Sequence, residues 1–217
     1  MSIAAASGAV AAWQTRGVRS APLSDAERAR FRSYLRAVSP LADRELELAD
    51  PARARVVARG EHFLSAGDRA VDCGTLLAGV MREYYPLADG REVTRGFAGP
   101  GDGIGSLSDL LSGEPARSSV IAETDARIAV VPWARLRELA ARTPAWGRFL
   151  ARITERLYLL KAAREYELLA LDAEARYARF RDRYAAIEGD IPLKQVASYV
   201  GITPEHLSRL RRRLAAR

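Results

Sequence analysis

The stretch PLKQVASYVGITPEHLSRLRRRL, Pro192 to Leu214, holds two short helical patterns around a single glycine. Val196, Val200, Ile202, Leu207 and Leu210 are its apolar positions, and Ala197 is small where a second helix must cross closely. Gly201 offers the positive φ that a tight three-residue turn needs. Thr203 suits the helix N-cap, and Pro204 the first helical position. These residue types at these offsets are the pattern of a helix-turn-helix.

Helical spacing turns Leu207, Leu210 and Leu214 inward and leaves Glu205, His206, Ser208, Arg209 and Arg212 outward, with Thr203 at the same end. Glu205 and Arg209 share one face near the helix N-terminus, where such motifs touch base edges. An arginine there can donate two hydrogen bonds to guanine, and a glutamate can accept from cytosine. An intrahelical salt bridge is the other use of that pair. Lys194, Arg211, Arg212 and Arg213 suit phosphate contacts, which position a protein without specifying sequence. The chain's charge supports this: residues 191–217 hold six basic side chains against Glu205 alone, a net +5 of the +7 carried by all 217 residues. A basic patch of this kind is the footprint of a phosphate-backbone binder.

Upstream, the texture changes twice. Residues 1–22 are expected to be a flexible tail, since the first twenty are rich in Ala, Ser and Gly. The apolar run Ile3 to Trp13 lacks a preceding positive charge and is too short to span a bilayer. Ser24 and Glu27 form a capping-box pattern that predicts a helix with Phe31, Tyr34, Leu35 and Val38 on one face. A second short helix is expected after Ser39-Pro40. From about Arg53, runs such as HFLSAG, TLLAGVMREYYPL and RIAVVPW alternate with glycine turns, which predicts an antiparallel β-roll or jelly-roll-like sandwich, with Asp89-Gly90 as a hairpin turn. After Trp133 the period becomes helical, first over Ala134 to Arg142 and then from Thr143-Pro144, an N-cap and first-turn proline. Leu150, Ile153, Leu157 and Leu160 follow a 3-4-3 spacing that Trp146 extends, the apolar seam of a dimerising coiled coil. The same stripe could instead pack on the chain's own β domain. The expected organisation is α+β: tail 1–22, β-roll with flanking helices 23–142, dimerisation helix 143–170, and helix-turn-helix domain 171–217.

Composition excludes several function classes. One cysteine, Cys73, permits no intramolecular disulfide and no cysteine-ligated iron–sulfur cluster within one chain, which fits a reducing cytoplasm. The two histidines, His62 and His206, and Cys73 are too dispersed to ligate a catalytic metal or to hold haem, so neither a β-roll metalloenzyme nor a haem sensor is expected. His62 reads as a strand residue at the roll surface, and Cys73 as a small buried apolar side chain with a redox role left open. No catalytic constellation is present.

The order of parts resembles the Crp/Fnr family of bacterial transcription regulators. The resemblance is carried by ARGEHFLSAGD (Ala58 to Asp68), by LLAGVMREYYPLADGREVTRGFAGPGDGIGSLSDLLSGEPARSS (Leu76 to Ser119), and by the terminal motif. It covers roughly residues 25–215. It implies a cyclic-nucleotide-binding-type β-roll, a long dimerisation helix and a C-terminal winged helix-turn-helix. It also implies homodimeric binding to a palindromic site on double-stranded DNA, RNA polymerase as a further partner, and control by a small-molecule or redox signal in the roll. A β-roll that acts through protein partners without DNA is the alternative. Gly105 and Leu107 match the phosphate cassette of the cyclic-AMP-binding members, and Arg117-Ser118 look like its phosphate-binding pair. Ser106 stands where those members carry a glutamate that accepts from the ribose hydroxyl. Losing that charge-assisted bond removes about 1.5–3 kcal/mol and argues against cyclic AMP. The effector is left unidentified. Where cyclic-AMP receptor proteins read with Arg-Glu, this chain has Pro204-Glu205, so its half-site should share only part of the usual consensus. The resemblance further implies that an effector near Gly105–Ser118 shifts how the roll packs on the long helix, and so the spacing of two reading helices roughly 34–36 Å apart.

Overall fold

A computed structural model describes residues 19–51 and 53–215. Helix α1 (Asp25–Val38) starts at the capping box read from the sequence: the Glu27 N–H donates to Ser24 Oγ at 3.3 Å and the Ser24 N–H to Glu27 Oε2 at 2.9 Å. Phe31, Leu35 and Val38 are its buried face. Ahead of it, β1 (Ser20–Pro22) pairs antiparallel with β2 (Arg53–Val57), so the expected tail gives way to ordered strand before residue 22. Arg53 fixes that edge by donating to Ser20 Oγ and to its carbonyl. The rest of the expected tail, residues 1–18, lies outside the described residues.

After α2 (Asp43–Glu47) and β2 come β3 (His62–Leu64), β4 (Asp72–Ala78), β5 (Met81–Pro86), β6 (Glu92–Ala98), β7 (Gly103–Ile104), α3 (Leu107–Ser112), β8 (Ser119–Ala122) and β9 (Ala126–Pro132). They form two antiparallel sheets, ordered β1-β2-β9-β4-β7 and β3-β8-β5-β6. Alternation along the strands makes two cores. Leu76, Ile128 and Val130 point between the sheets and meet Phe63, Met81, Ile104 and Val120. Their neighbours Leu77, Ala129 and Val131 point out of the five-stranded sheet, against Phe31 and Leu35 of α1. Gly74 sits mid-strand because a Cβ there would stand 2.2 Å from the Ala129 carbonyl oxygen. The β5–β6 hairpin turns at Asp89-Gly90, with Gly90 at φ +81°.

Helix α4 (Trp133–Arg142) leads directly to α5 (Pro144–Ala170), which runs 27 residues. Thr143 precedes it as expected, but its hydroxyl donates back to Leu139 O at 2.8 Å and leaves the cap of α5 unmade, with Pro144 in the first turn. Helix α6 (Ala173–Tyr184) is capped by Asp172, which accepts the Ala175 N–H at 2.8 Å. Helices α7 (Leu193–Val200) and α8 (Pro204–Ala215) follow a 3-10 turn. Among the described residues no strand follows α8, so the wing strands implied by the resemblance are not among them.

A third core binds this terminal unit together and crosses the expected boundary at residue 171. Tyr177, Phe180, Val196, Tyr199, Val200, Leu207 and Leu210 pack with Val80 and Phe97 of the β-roll. Helix α7 also docks on the edge strand β6: Ser198 Oγ accepts the Thr94 N–H at 2.9 Å and donates to Glu92 O at 3.0 Å. An edge strand has open backbone groups, and here one serine hydroxyl satisfies two of them.

Candidate nucleic-acid interface and cleft

Gly201 adopts φ +78° and ψ +39° and ends α7, with its own N–H and that of Ile202 both donating to Ala197 O. This closes the helix in left-handed geometry and points α8 away at a fixed angle. Ala197 is fully buried at the crossing. Thr203 Oγ1 accepts the His206 N–H at 3.2 Å, the predicted N-cap bond. Arg176, which no sequence pattern singled out, donates to Val200 O at 2.8 Å and to Leu171 O at 2.6 Å, satisfying carbonyls at two helix ends.

The inward leucines behave as spaced: Leu207 and Leu210 are buried and Leu214 is half-buried. Glu205, His206, Arg209, Arg212 and Arg213 are exposed on α8, Ser208 is half-buried, and Lys194 is exposed at the start of α7. Backbone N–H donation at the helix start, then the Thr203 hydroxyl, hold the Glu205 carboxyl below its ordinary range, so it presents a charged acceptor. Among the described residues no ion pair joins Glu205 to Arg209, and Arg209, Arg212 and Lys194 have no salt-bridge partner. Arg213 is paired with Glu174 of α6 at 2.6 Å yet stays exposed. Arg211 departs from the expected phosphate role, since it pairs with Glu188 at 2.8 Å and lies 5.5 Å over the Tyr177 ring.

On α5 the seam read from the sequence turns toward the chain's own β-roll. Trp146 is 1% exposed and donates its indole N–H to Glu45 O at 3.2 Å, so it has no surface left for a partner. Leu150, Ile153, Leu157 and Leu160 line a cleft of about 610 Å³ between α5 and the roll, and of these Leu160 is also exposed to solvent. The outward face carries a second apolar stripe, Tyr158, Ala162, Tyr166 and Leu169, at 4-4-3 spacing; Tyr158 is 70%, Tyr166 61% and Leu169 80% exposed. Its register was hidden in the sequence because two apolar stripes share one helix.

The cleft is lined by Tyr34, Leu107, Phe97 and Trp133, by α5 with its cations Arg156, Lys161 and Arg164, and by Arg183 and Tyr184 of the terminal unit. Of the five residues matched to a phosphate cassette, Gly105 and Leu107 line it, whereas Ser106, Arg117 and Ser118 do not. Ser106 is buried with its hydroxyl 3.3 Å from that of Ser108, and Arg117 is exposed. His62 is a half-buried β3 residue whose Nε2 meets the Tyr84 hydroxyl at 2.9 Å. Cys73 donates its thiol to Val131 O at 3.4 Å, and burial pushes that thiol up to about 12. The folded protein should therefore resist iodoacetamide near neutral pH and label at once after denaturation. Rapid labelling of the native chain, read by intact mass, would reopen a redox role for this thiol. Among the described residues no group of three or more metal-binding side chains converges, and no helix is long and apolar enough to cross a membrane.

A two-sheet roll, a long helix beside a cleft and a terminal helix-turn-helix together define a class of helix-turn-helix transcription regulators. Residues 54–143 match the cyclic nucleotide-binding domain. The chain is 32% identical over 166 residues to the nitrogen fixation regulation protein FixK of Bradyrhizobium diazoefficiens, covering 69% of this chain and 66% of that protein. The structure of FixK2 from Bradyrhizobium japonicum superposes with a TM-score of 0.65 at 22% identity, over 74% of this chain and 83% of that one. The c-di-GMP responsive global regulator CLP of Xanthomonas campestris superposes with a TM-score of 0.62 at 20% identity, over 81% and 92%. The chain belongs to the Crp/Fnr family.

Proposed function

We propose that this protein is a cytoplasmic, non-enzymatic transcription regulator that binds a palindromic operator as a homodimer. The observation that carries it is the outward face of α8, where Arg209 and Arg212 have no ion-pair partner among the described residues and stand beside the charged acceptor Glu205. Buried leucines and the Thr203 cap hold that face, so its side chains reach a major groove at little ordering cost. Glu205, His206, Ser208 and Arg209 read base edges. Arg212, Arg213 and Lys194 meet phosphates, and the outward stripe of α5 joins two chains. The cleft beside α5 is the sensing half, and contact with RNA polymerase belongs to the same proposal. Action through protein partners alone is not favoured, because such a surface has no use for Arg209 and Arg212 held exposed beside Glu205.

Selection of duplexes from a random pool at two salt concentrations tests this. The expected product is a two-half-site consensus with centres one DNA turn apart, bound more weakly as salt rises. An absence of enrichment at either salt, with and without metabolite extract, would refute it. Arg209→Ala is expected to relax preference at one base position at a cost of about 1–3 kcal/mol. Equal weakening on every sequence would instead make Arg209 a phosphate contact.

A further inference from the structure

The cassette corner matched to phosphate binding lies beside the cleft and not in its lining, and it is already occupied from within. Ser118, matched to the phosphate-binding pair, is 1% exposed and turns its hydroxyl to two carboxylates: Glu83 Oε1 at 2.9 Å and Asp109 Oδ2 at 3.1 Å. Glu83 comes from β5 and lines the cleft, and Asp109 comes from α3 and is 3% exposed. A serine has one hydroxyl proton, so the two acceptors together exhaust its donor capacity. One cation of this corner is opposed in the same way, since Arg95 is ion-paired to Glu83. Burial and then Arg95 push the Lys161 ammonium down, with Glu83 and Asp109 acting against that shift.

We infer that Glu83 and Asp109 serve as a built-in substitute for a bound anion, so that the cassette corner of this roll refuses the phosphate of a cyclic nucleotide. An entering phosphate would have to displace two like charges from their donors in a low-dielectric corner, and like charges at such range repel strongly. The ribose side of the site is equally unfurnished, because Ser106 replaces an acceptor carboxylate and is buried against Ser108. Arg117 stands exposed, outside the cleft lining, and does not restore the missing donor. The two carboxylates thus set specificity: they remove the anion from the ligand's side of the interaction and supply it from the protein's own. Any effector of this cleft must then bind away from this corner, against its apolar walls or the cations that α5 turns into it, such as Arg156.

This inference rests on the proposed reading only for the cleft's role as a sensing half. Its test contains no DNA, so its failure leaves the regulator reading standing. The probe is cyclic AMP, titrated calorimetrically into the full chain. The wild-type protein is expected to show no saturation up to about 1 mM. The Glu83→Gln, Asp109→Asn double variant removes both charges and the Arg95 ion pair while adding amide donors, and should bind at least about tenfold more tightly than wild type. Adding Ser118→Ala should abolish that gain, and Asp109→Glu, which keeps the charge, should show none. Should the double variant lose its native circular dichroism, the isosteric Asp109→Asn change alone carries the test with the same direction of effect. Micromolar binding by the wild-type chain would overturn the inference, and so would folded variants that bind no better than wild type.

Discussion

Tyr158→Glu together with Tyr166→Glu is expected to lower affinity for a two-half-site operator by about 10²–10⁴-fold, because it breaks the linkage between two reading helices. The effect follows from where these side chains point. Both lie on the outward stripe of α5, 70% and 61% exposed, and share it with Ala162 and Leu169. A contiguous apolar face on a charged helix marks a protein contact, and a second α5 offers the same face in return. Charges placed there meet like charges on the partner, while each chain's own cores are untouched. Affinity for an isolated half-site should therefore hold, and sedimentation should show monomer. Unchanged operator affinity, or a dimer that survives the change, would move the interface elsewhere. Leu157→Glu makes a useful contrast, since it buries a charge in the chain's own cleft and should cost folding stability as well as DNA binding.

That contrast shows what was and was not legible in the sequence. Three local rules with fixed offsets read through, the Ser24–Glu27 capping box, the left-handed Gly201 and the Thr203 cap, whereas the Thr143 cap was lost to Leu139 one turn back. Each depends on residues a few positions apart, so no distant neighbour can overrule it. The faces of α5 could not be ranked from period alone. Leu150, Ile153, Leu157 and Leu160 form a good seam and line the cleft toward the roll, yet a second apolar stripe shares the helix, which carries no internal signal for which one faces a partner. Trp146 was the clue, since an aromatic this large at the helix start is best buried in its own chain, beneath α2. Ser118 matched a cassette by position, but its use depends on Glu83 and Asp109, which lie 35 and 9 residues away. The dock of the terminal unit on β6 was likewise unreadable, because Phe97 looks like any other strand aromatic until its partners in α6 and α7 are in place.

Phe97→Ala is expected to destabilise that dock by about 3–5 kcal/mol, the usual cost of emptying an aromatic site in a packed core. Phe97 meets Phe180 edge-on at 6.1 Å and Tyr184 edge-on at 5.4 Å, and it lies 5.9 Å from Tyr199. Its backbone N–H also donates to the Tyr184 hydroxyl at 3.3 Å. All of these partners belong to the terminal unit, whereas the core between the two sheets is built from other residues. The loss should therefore fall on the junction and not on the roll. A single cooperative thermal transition in the wild-type chain should split in the variant, with the terminal helices melting first and trypsin cutting at Arg183 or Lys194, at the facing ends of α6 and α7. Half-site binding at low temperature should persist, because Val196, Ala197, Leu207 and Leu210 still hold α7 against α8. An unchanged midpoint with one transition would mean that Ser198 on the β6 edge, and not the aromatic cluster, carries the dock. A split transition would make Phe97, which also lines the cleft, the physical link between whatever enters the roll and the angle at which α8 is presented.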